Sequence, residues 1–152
     1  MSRETKFRAW QEEEKKMWVD VGIDDGGSAI LDTHIGFAPL KGSHIIMQYT
    51  GLLDKQGKEI YEGDVLAHNS KDAHDNTYQI RYEVKFGEYD NGKCYDDNIS
   101  GCGWWLKRFI LIRSNGEIDS EIQVYDYRGL HGLENSEVIG NIYENKELLE
   151  ER

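Results

Sequence analysis

Five histidines and an abundance of carboxylates are the side chains in this 152-residue sequence best suited to metal or hydrolytic chemistry. Imidazole and carboxylate together bind divalent ions, and the densest grouping joins Asp32-x-His34 with His68, Asp72, His74 and Asp75. The spacing fits no ligand motif. His68 and His74 share a polar stretch with Asn69, Ser70, Lys71 and Asn76, which reads as a solvated loop. Cys94 and Cys102 are separated by seven residues, matching neither a CxxC redox pair nor a zinc framework; buried or free thiols in a reducing compartment are expected, with a disulfide between two facing hairpin strands as the alternative that the absence of a secretion signal disfavours. The sequence holds no Gly-x-Ser-x-Gly elbow and no phosphate-cradling Gly-x-x-x-x-Gly-Lys loop. Gly101-Cys102-Gly103 runs into Trp104-Trp105 without a further glycine, so it reads as a turn and not as a dinucleotide fingerprint. No catalytic residue, cofactor or metal is assigned, and a protein that is not an enzyme is the expectation.

Binding chemistry is better represented. Trp104 and Trp105 lie beside Lys107, Arg108 and Arg113, and basic residues interleaved with aromatics suit stacking on single-stranded bases. The same pattern describes a strand with one buried and one solvated face. Against nucleic acid stands the charge: 18 basic and 29 acidic side chains leave a net charge of −11, which repels a phosphate backbone away from any local basic patch. The acids cluster in Glu12-Glu13-Glu14, Asp24-Asp25 and Asp96-Asp97, where solvated turns are expected. Nucleic acid is therefore an alternative partner and a protein the leading one. The strongest apolar run spans only 109–112, and Met1-Ser2-Arg3-Glu4-Thr5-Lys6 has no apolar core, so a cytoplasmic protein without a membrane partner is expected.

These residues must be positioned by a mainly β fold. Sixteen glycines against one proline, with many tyrosines, tryptophans and isoleucines, predict small antiparallel sheets joined by tight turns. Strict alternation over 78–86 predicts a half-buried strand. Asn91-Gly92 and Asn115-Gly116 suit two-residue hairpin turns, the second between 109–113 and 117–125. Asp54-Lys55-Gln56-Gly57 predicts a type I turn between strands over 45–50 and 59–67. At the N-terminus, 6–10 and 17–21 form a hairpin closed around 12–15, while 22–28 and 96–103 read as loops. A last strand over 137–143 leads to Asn145, which is placed to cap a short C-terminal helix through Glu150 that docks Leu148 and Leu149 on the sheet. The length fits a single domain over 1–152, with about 1–45 as a candidate N-terminal β subdomain.

Three blocks carry a family resemblance: Lys6-Phe7-Arg8-Ala9-Trp10, Met47-Gln48-Tyr49-Thr50-Gly51-Leu52 continuing through Asp54 to Val65, and Val138-Ile139-Gly140-Asn141-Ile142-Tyr143-Glu144-Asn145. They resemble the YopX family of phage and prophage proteins, except that Lys146 stands where that family's closing motif commonly has proline. The resemblance implies a small β-rich fold, partly barrel-like, encoded by bacteriophages or integrated prophages; it brings no catalytic residues. Gly51, Gly57 and Gly63 punctuate turns, and Asp64 is placed to bond backbone amides at a strand entry. Arg8, Trp10, Gln48 and Tyr49 are alternatively the lining of a shared groove, which with Trp104, Trp105 and Arg108 forms the candidate binding surface. Adjacent Trp104 and Trp105 point to opposite faces of a regular strand, so an outward ring is available for self-association and a homo-oligomer is among the expectations.

Overall fold

The computed structural model describes residues 4–33, 35–90, 100–119 and 135–150. Among the described residues eleven strands form two antiparallel sheets. The first contains β1 (Phe7–Gln11), β2 (Lys16–Ile23), β3 (Ala29–Thr33), β4 (Gly36–Pro39), β5 (His44–Leu53) and β6 (Glu59–Tyr61), in the spatial order β4-β3-β2-β1-β5-β6. The second contains β7 (Asp64–Lys71), β8 (Thr77–Asp90), β9 (Ser100–Arg113), β10 (Ile118–Asp119) and β11 (Glu137–Asn141), in the order β10-β9-β8-β7-β11. The mainly β expectation holds. Among the described residues neither sheet closes into a barrel, because β4 and β6 are the edges of the first and β10 and β11 the edges of the second.

The alternation over 78–86 does what it predicted. Ile80, Tyr82 and Val84 are buried with Leu66, Leu106, Leu111 and Val138 in the core of the second sheet, while Gln79, Arg81, Glu83 and Lys85 take the opposite face. The first sheet packs a smaller core of Ala9, Val21, Ala29 and Leu40 on one face, supported by Phe7, Trp18 and Ile46. Fully burying one of the larger aliphatic side chains, such as Ile60 or Leu66, contributes about 1.5–3 kcal/mol.

Most turns follow their chemistry. The N-terminal hairpin pairs Gln11 with Lys16, and the Asn115-Gly116 hairpin pairs Ile118 with Ile112, with Gly116 at φ +83°. The strand expected after it, to residue 125, lies beyond Asp119 outside the described residues, as does Asn91-Gly92. Four expectations are corrected. The loop over 22–28 starts only after Ile23, because Gly22 and Ile23 pair with Ile30 and Ala29. Ser100 to Gly103 are strand and not loop, held in register against Asp90 to Gly87. The C-terminal helix is a single 3-10 turn, Lys146–Leu149, without a side-chain cap from Asn145, whose Oδ1 instead accepts from the Asn141 N–H at 3.2 Å. Leu148 is half-buried and Leu149 exposed.

The most consequential correction concerns the strand expected over 59–67. It breaks at Glu62-Gly63, leaving β6 in the first sheet and β7 in the second. Gly63 has φ +79°; its N–H donates to the Val84 carbonyl at 2.8 Å and its own carbonyl accepts from Ile142 N–H at 2.9 Å. A Cβ there would meet the Tyr143 ring at 3.1 Å. Gly63→Ala is expected to lower stability by about 1–2 kcal/mol through the left-handed backbone alone, read as a lower urea midpoint with unchanged slope.

Candidate functional site

The three family-like blocks meet at this crossing. β1 pairs with β5, setting Arg8 opposite Met47 and Phe7 opposite Gln48. Arg8 and Trp10, two residues apart, therefore leave the same face of the first sheet, toward β7 and the C-terminal segment. One Arg8 terminal nitrogen donates to Asp64 Oδ1 at 2.6 Å and to the Glu62 carbonyl at 3.2 Å. Asp64 is 1% exposed, and its second oxygen accepts from Tyr61 N–H at 2.8 Å, so the expected amide contact at a strand entry is present together with a buried ion pair. The Arg8 guanidinium also lies 4.7 Å from the Tyr61 ring centroid.

A second polar chain continues outward. Tyr61 Oη donates to Glu59 Oε2 at 2.8 Å, and Lys6 Nζ donates to Glu59 Oε1 at 2.5 Å. The lysine and the phenol hold the Glu59 carboxyl below its ordinary range, while burial and that same carboxylate push the Tyr61 phenol up, keeping it a protonated donor. Tyr49 packs at 5.4 Å from Tyr61, centroid to centroid.

Three of the seven candidate binding residues, Arg8, Trp10 and Tyr49, thus gather around one joint, while Gln48, paired with Phe7, lies on the other face of the first sheet. Arg8, Trp10 and Tyr49 are buried and Gln48 half-buried. Trp10 stacks on Tyr143 and donates its Nε1–H to Glu12 Oε2 at 2.6 Å. Trp104 lies elsewhere, on β9, half-buried against the core of the second sheet with its ring edge-on to Phe86 at 5.0 Å. Trp105 and Arg108 pair in register with Lys85 and Tyr82; their side chains fall outside the described residues.

The polar stretch 68–76 forms the end of β7 and its hairpin turn to β8. Asp72 Oδ2 accepts from the Asn76 side-chain carboxamide at 3.0 Å and its Oδ1 from the backbone N–H groups of His74 and Asn76, which fixes that turn and holds the Asp72 carboxyl below its usual range, the side-chain bond contributing most. His34 and Cys94 lie outside the described residues, and among those described no group of three or more His, Cys, Asp or Glu is placed to hold an ion.

Sequence reasoning missed two features. Asp54 is more than a turn residue: besides accepting from Gln56 and Lys58 N–H within its own turn, it accepts from Val138 N–H of β11 at 2.9 Å. The other is an open cleft of about 490 Å³ where the ends of β7, β8 and β9 come together, lined in part by Lys71, Tyr78, Gln79 and Arg113.

No curated protein matches the chain. Two solved structures are similar over nearly its whole length. One is the crystal structure of protein EF1440 from Enterococcus faecalis, 29% identical with a TM-score of 0.50, covering 98% of this chain and all of that one (100%). The other is the crystal structure of yopX from Bacillus subtilis, 20% identical with a TM-score of 0.48, covering 97% of each chain. The family model described as YopX protein matches residues 6–150, a span that holds both sheets, the Arg8–Asp64 joint and the Asp54 contact to β11. The chain therefore belongs to the YopX family.

Proposed function

We propose that this YopX-family chain is a phage or prophage accessory protein of the bacterial cytoplasm that acts by non-catalytic binding to a host or phage protein. The phage setting comes from the family resemblance. The carrying observation is the edge of the first sheet, where Ile35 is 94% and Phe37 73% exposed at the β3–β4 hairpin. Large apolar side chains together at an edge leave water-ordering surface next to unpaired backbone groups, and both are satisfied by a protein partner. Phe37 stands opposite Asp32 on the outward face, whereas Leu31 and Ala38 form the inward pair, so the exposure of Phe37 follows from register and not from a mispacked core.

Capture from host lysate on immobilised protein tests this. Phe37→Asp is expected to lose a specific protein that wild type retains, by tenfold or more, since covering that ring is worth about 1.5–3 kcal/mol. Leu53→Asp, at another exposed apolar position, should retain it. Equal capture by both variants, recovery of nucleic acid in place of protein, or turnover in a broad substrate screen overturns the proposal.

A further inference from the structure

The β3–β4 hairpin folds back over one face of its own sheet. Ala9 of β1 and Ile46 of β5, directly paired, pack there with Ala29 and Leu40 at the foot of the hairpin. Two residues further along β1, on that same face, stand Gln11 and its partner His44. Both reach the hairpin. Gln11 Nε2 donates to the Lys41 carbonyl at 2.7 Å, and the half-buried His44 ring bridges two backbone groups: its Nε2 accepts from Ala29 N–H at 3.1 Å, and its Nδ1 lies 3.0 Å from the Gly42 carbonyl. We propose that His44 is a proton-sensitive latch that holds this hairpin down on the sheet.

The partners fix the protonation of the ring. A backbone N–H can only donate and a carbonyl only accept, so Nε2 keeps its lone pair and Nδ1 holds the proton, the neutral imidazole in one of its two tautomers. A second proton goes to Nε2 and sets one N–H against another. The Ala29 N–H then has no water to turn to, because Ala29 is fully buried. Ala29 is also the anchor of the hairpin: its carbonyl accepts from Leu40 N–H at 2.8 Å, and the residue pairs with Ile23 at the end of β2. The buried side chains that otherwise hold the hairpin down are Ala9, Val21, Ala29 and Leu40, two of them alanines, so the ring is a large share of the attachment. The charged groups on the elements around the ring are Lys41 in its own loop, Glu13 in the turn after β1, whose Oε2 would stand 2.9 Å from a side-chain carbon at Gly42, Lys16 opposite Gln11 on β2, and Asp24 and Asp25 ahead of β3. Asp24 Oδ1 already accepts from Gly26 and Ser28 N–H. The lysines disfavour a charged ring and the acids favour one, but it is the loss of the Nε2 lone pair that opens the contact to Ala29.

The hairpin carries Ile35 and Phe37, so an open latch also displaces the surface offered to a partner. That consequence rests on the β4 edge as the partner surface; the latch itself does not. Nitrogen NMR of the imidazole and amide hydrogen exchange, at about pH 8 and about pH 5.5 on either side of the ordinary imidazole range, test the latch directly. At the higher pH the His44 ring should show the Nδ1–H tautomer. On acidification the protection factors of Ala29 and Leu40 should fall by about tenfold or more, while those of Ile80 and Val84 in the second sheet hold. His44→Gln, whose Oε1 can take the Ala29 N–H without titrating, should keep the protection at both pH values, and His44→Phe should lack it at both. A proton on Nε2 at the higher pH overturns the latch, as does equal Ala29 protection in wild type at both pH values or an acid loss in His44→Gln as large as in wild type. Capture from host lysate separates the two readings. Protein held at about pH 8 and released at about pH 5.5 by wild type, but not by His44→Gln, extends the latch to the partner. Retention by wild type at both pH values overturns that extension, and no capture at either overturns the edge reading while the latch is decided by the NMR result.

Discussion

Asp54→Ala is expected to lower the melting temperature by about 6–12 °C, the consequence of losing about 3 kcal/mol in a chain of this size. Its carboxylate is buried and does two jobs with different oxygens. Oδ1 accepts from Gln56 and Lys58 N–H at 2.8 and 2.9 Å, closing the turn between β5 and β6; Oδ2 accepts from Val138 N–H at 2.9 Å, fastening that turn to β11 in the other sheet. Alanine frees all three donors. The two in the turn can find water, but the Val138 N–H is left beside a buried side chain without an acceptor. Asp54→Asn separates the jobs: one carbonyl oxygen still serves the turn, while the amide nitrogen faces the Val138 N–H and repels it. The asparagine variant should fall between wild type and alanine. The pH dependence has a definite sign. Burial pushes the Asp54 carboxyl up, yet the three N–H donors outweigh it and hold the carboxyl below its ordinary range. A depressed carboxyl contributes stability that is present above the ordinary carboxylate range and lost as pH falls through the folded value. Wild type should therefore lose melting temperature on acidification more steeply than Asp54→Ala. A wild-type melting temperature in the alanine variant at neutral pH rules out the clamp.

How much of this was legible depended on whether the cause was local. The strand β8 and the existence of the Asn115-Gly116 hairpin rest on periodicity and turn chemistry within a few residues and were legible, but the turn is a three-residue loop closed between Arg113 and Glu117 with only Gly116 left-handed, not the two-residue turn expected. The break at Glu62-Gly63 was not, because Ile60, Tyr61, Val65 and Leu66 continue a plausible strand pattern, and only the existence of two sheets forces the chain to cross there. Asn145 has the right type for a helix cap, but its side chain is taken by the Asn141 N–H, and a tighter turn results. The Arg8–Asp64 pair spans 56 positions, so no local pattern could announce it, although the amide contact of Asp64 three residues away was foreseen. The cleft was hidden for another reason. Asn69, Lys71, Thr77 and Gln79 are ordinary solvent-facing residues one by one, and their convergence exists only in the register of β7, β8 and β9.

The Arg8–Asp64 pair should show the largest non-additivity in the molecule. Arg8→Met leaves the Asp64 carboxylate buried with one remaining donor, the Tyr61 N–H, and is expected to cost about 3–5 kcal/mol at neutral pH, as breaking a buried ion pair from one side does. Adding Asp64→Asn removes the stranded charge while its carbonyl oxygen still serves Tyr61. The double variant should therefore be more stable than Arg8→Met alone, by about 1–3 kcal/mol. Acidification should have a related effect. Burial pushes the Asp64 carboxyl up even in the presence of Arg8; without the guanidinium only the Tyr61 amide and the weaker pull of the Lys58 charge oppose that push. A raised carboxyl favours the folded state below its ordinary range and loses that contribution as pH rises through the folded value, so Arg8→Met should approach the double variant in stability as pH is lowered. Urea unfolding of the four proteins of the cycle at neutral and mildly acidic pH reads both effects. Strict additivity at both pH values means that Arg8 acts only through its packing against Tyr61, the 4.7 Å ring contact, and that the ion pair contributes nothing to the joint.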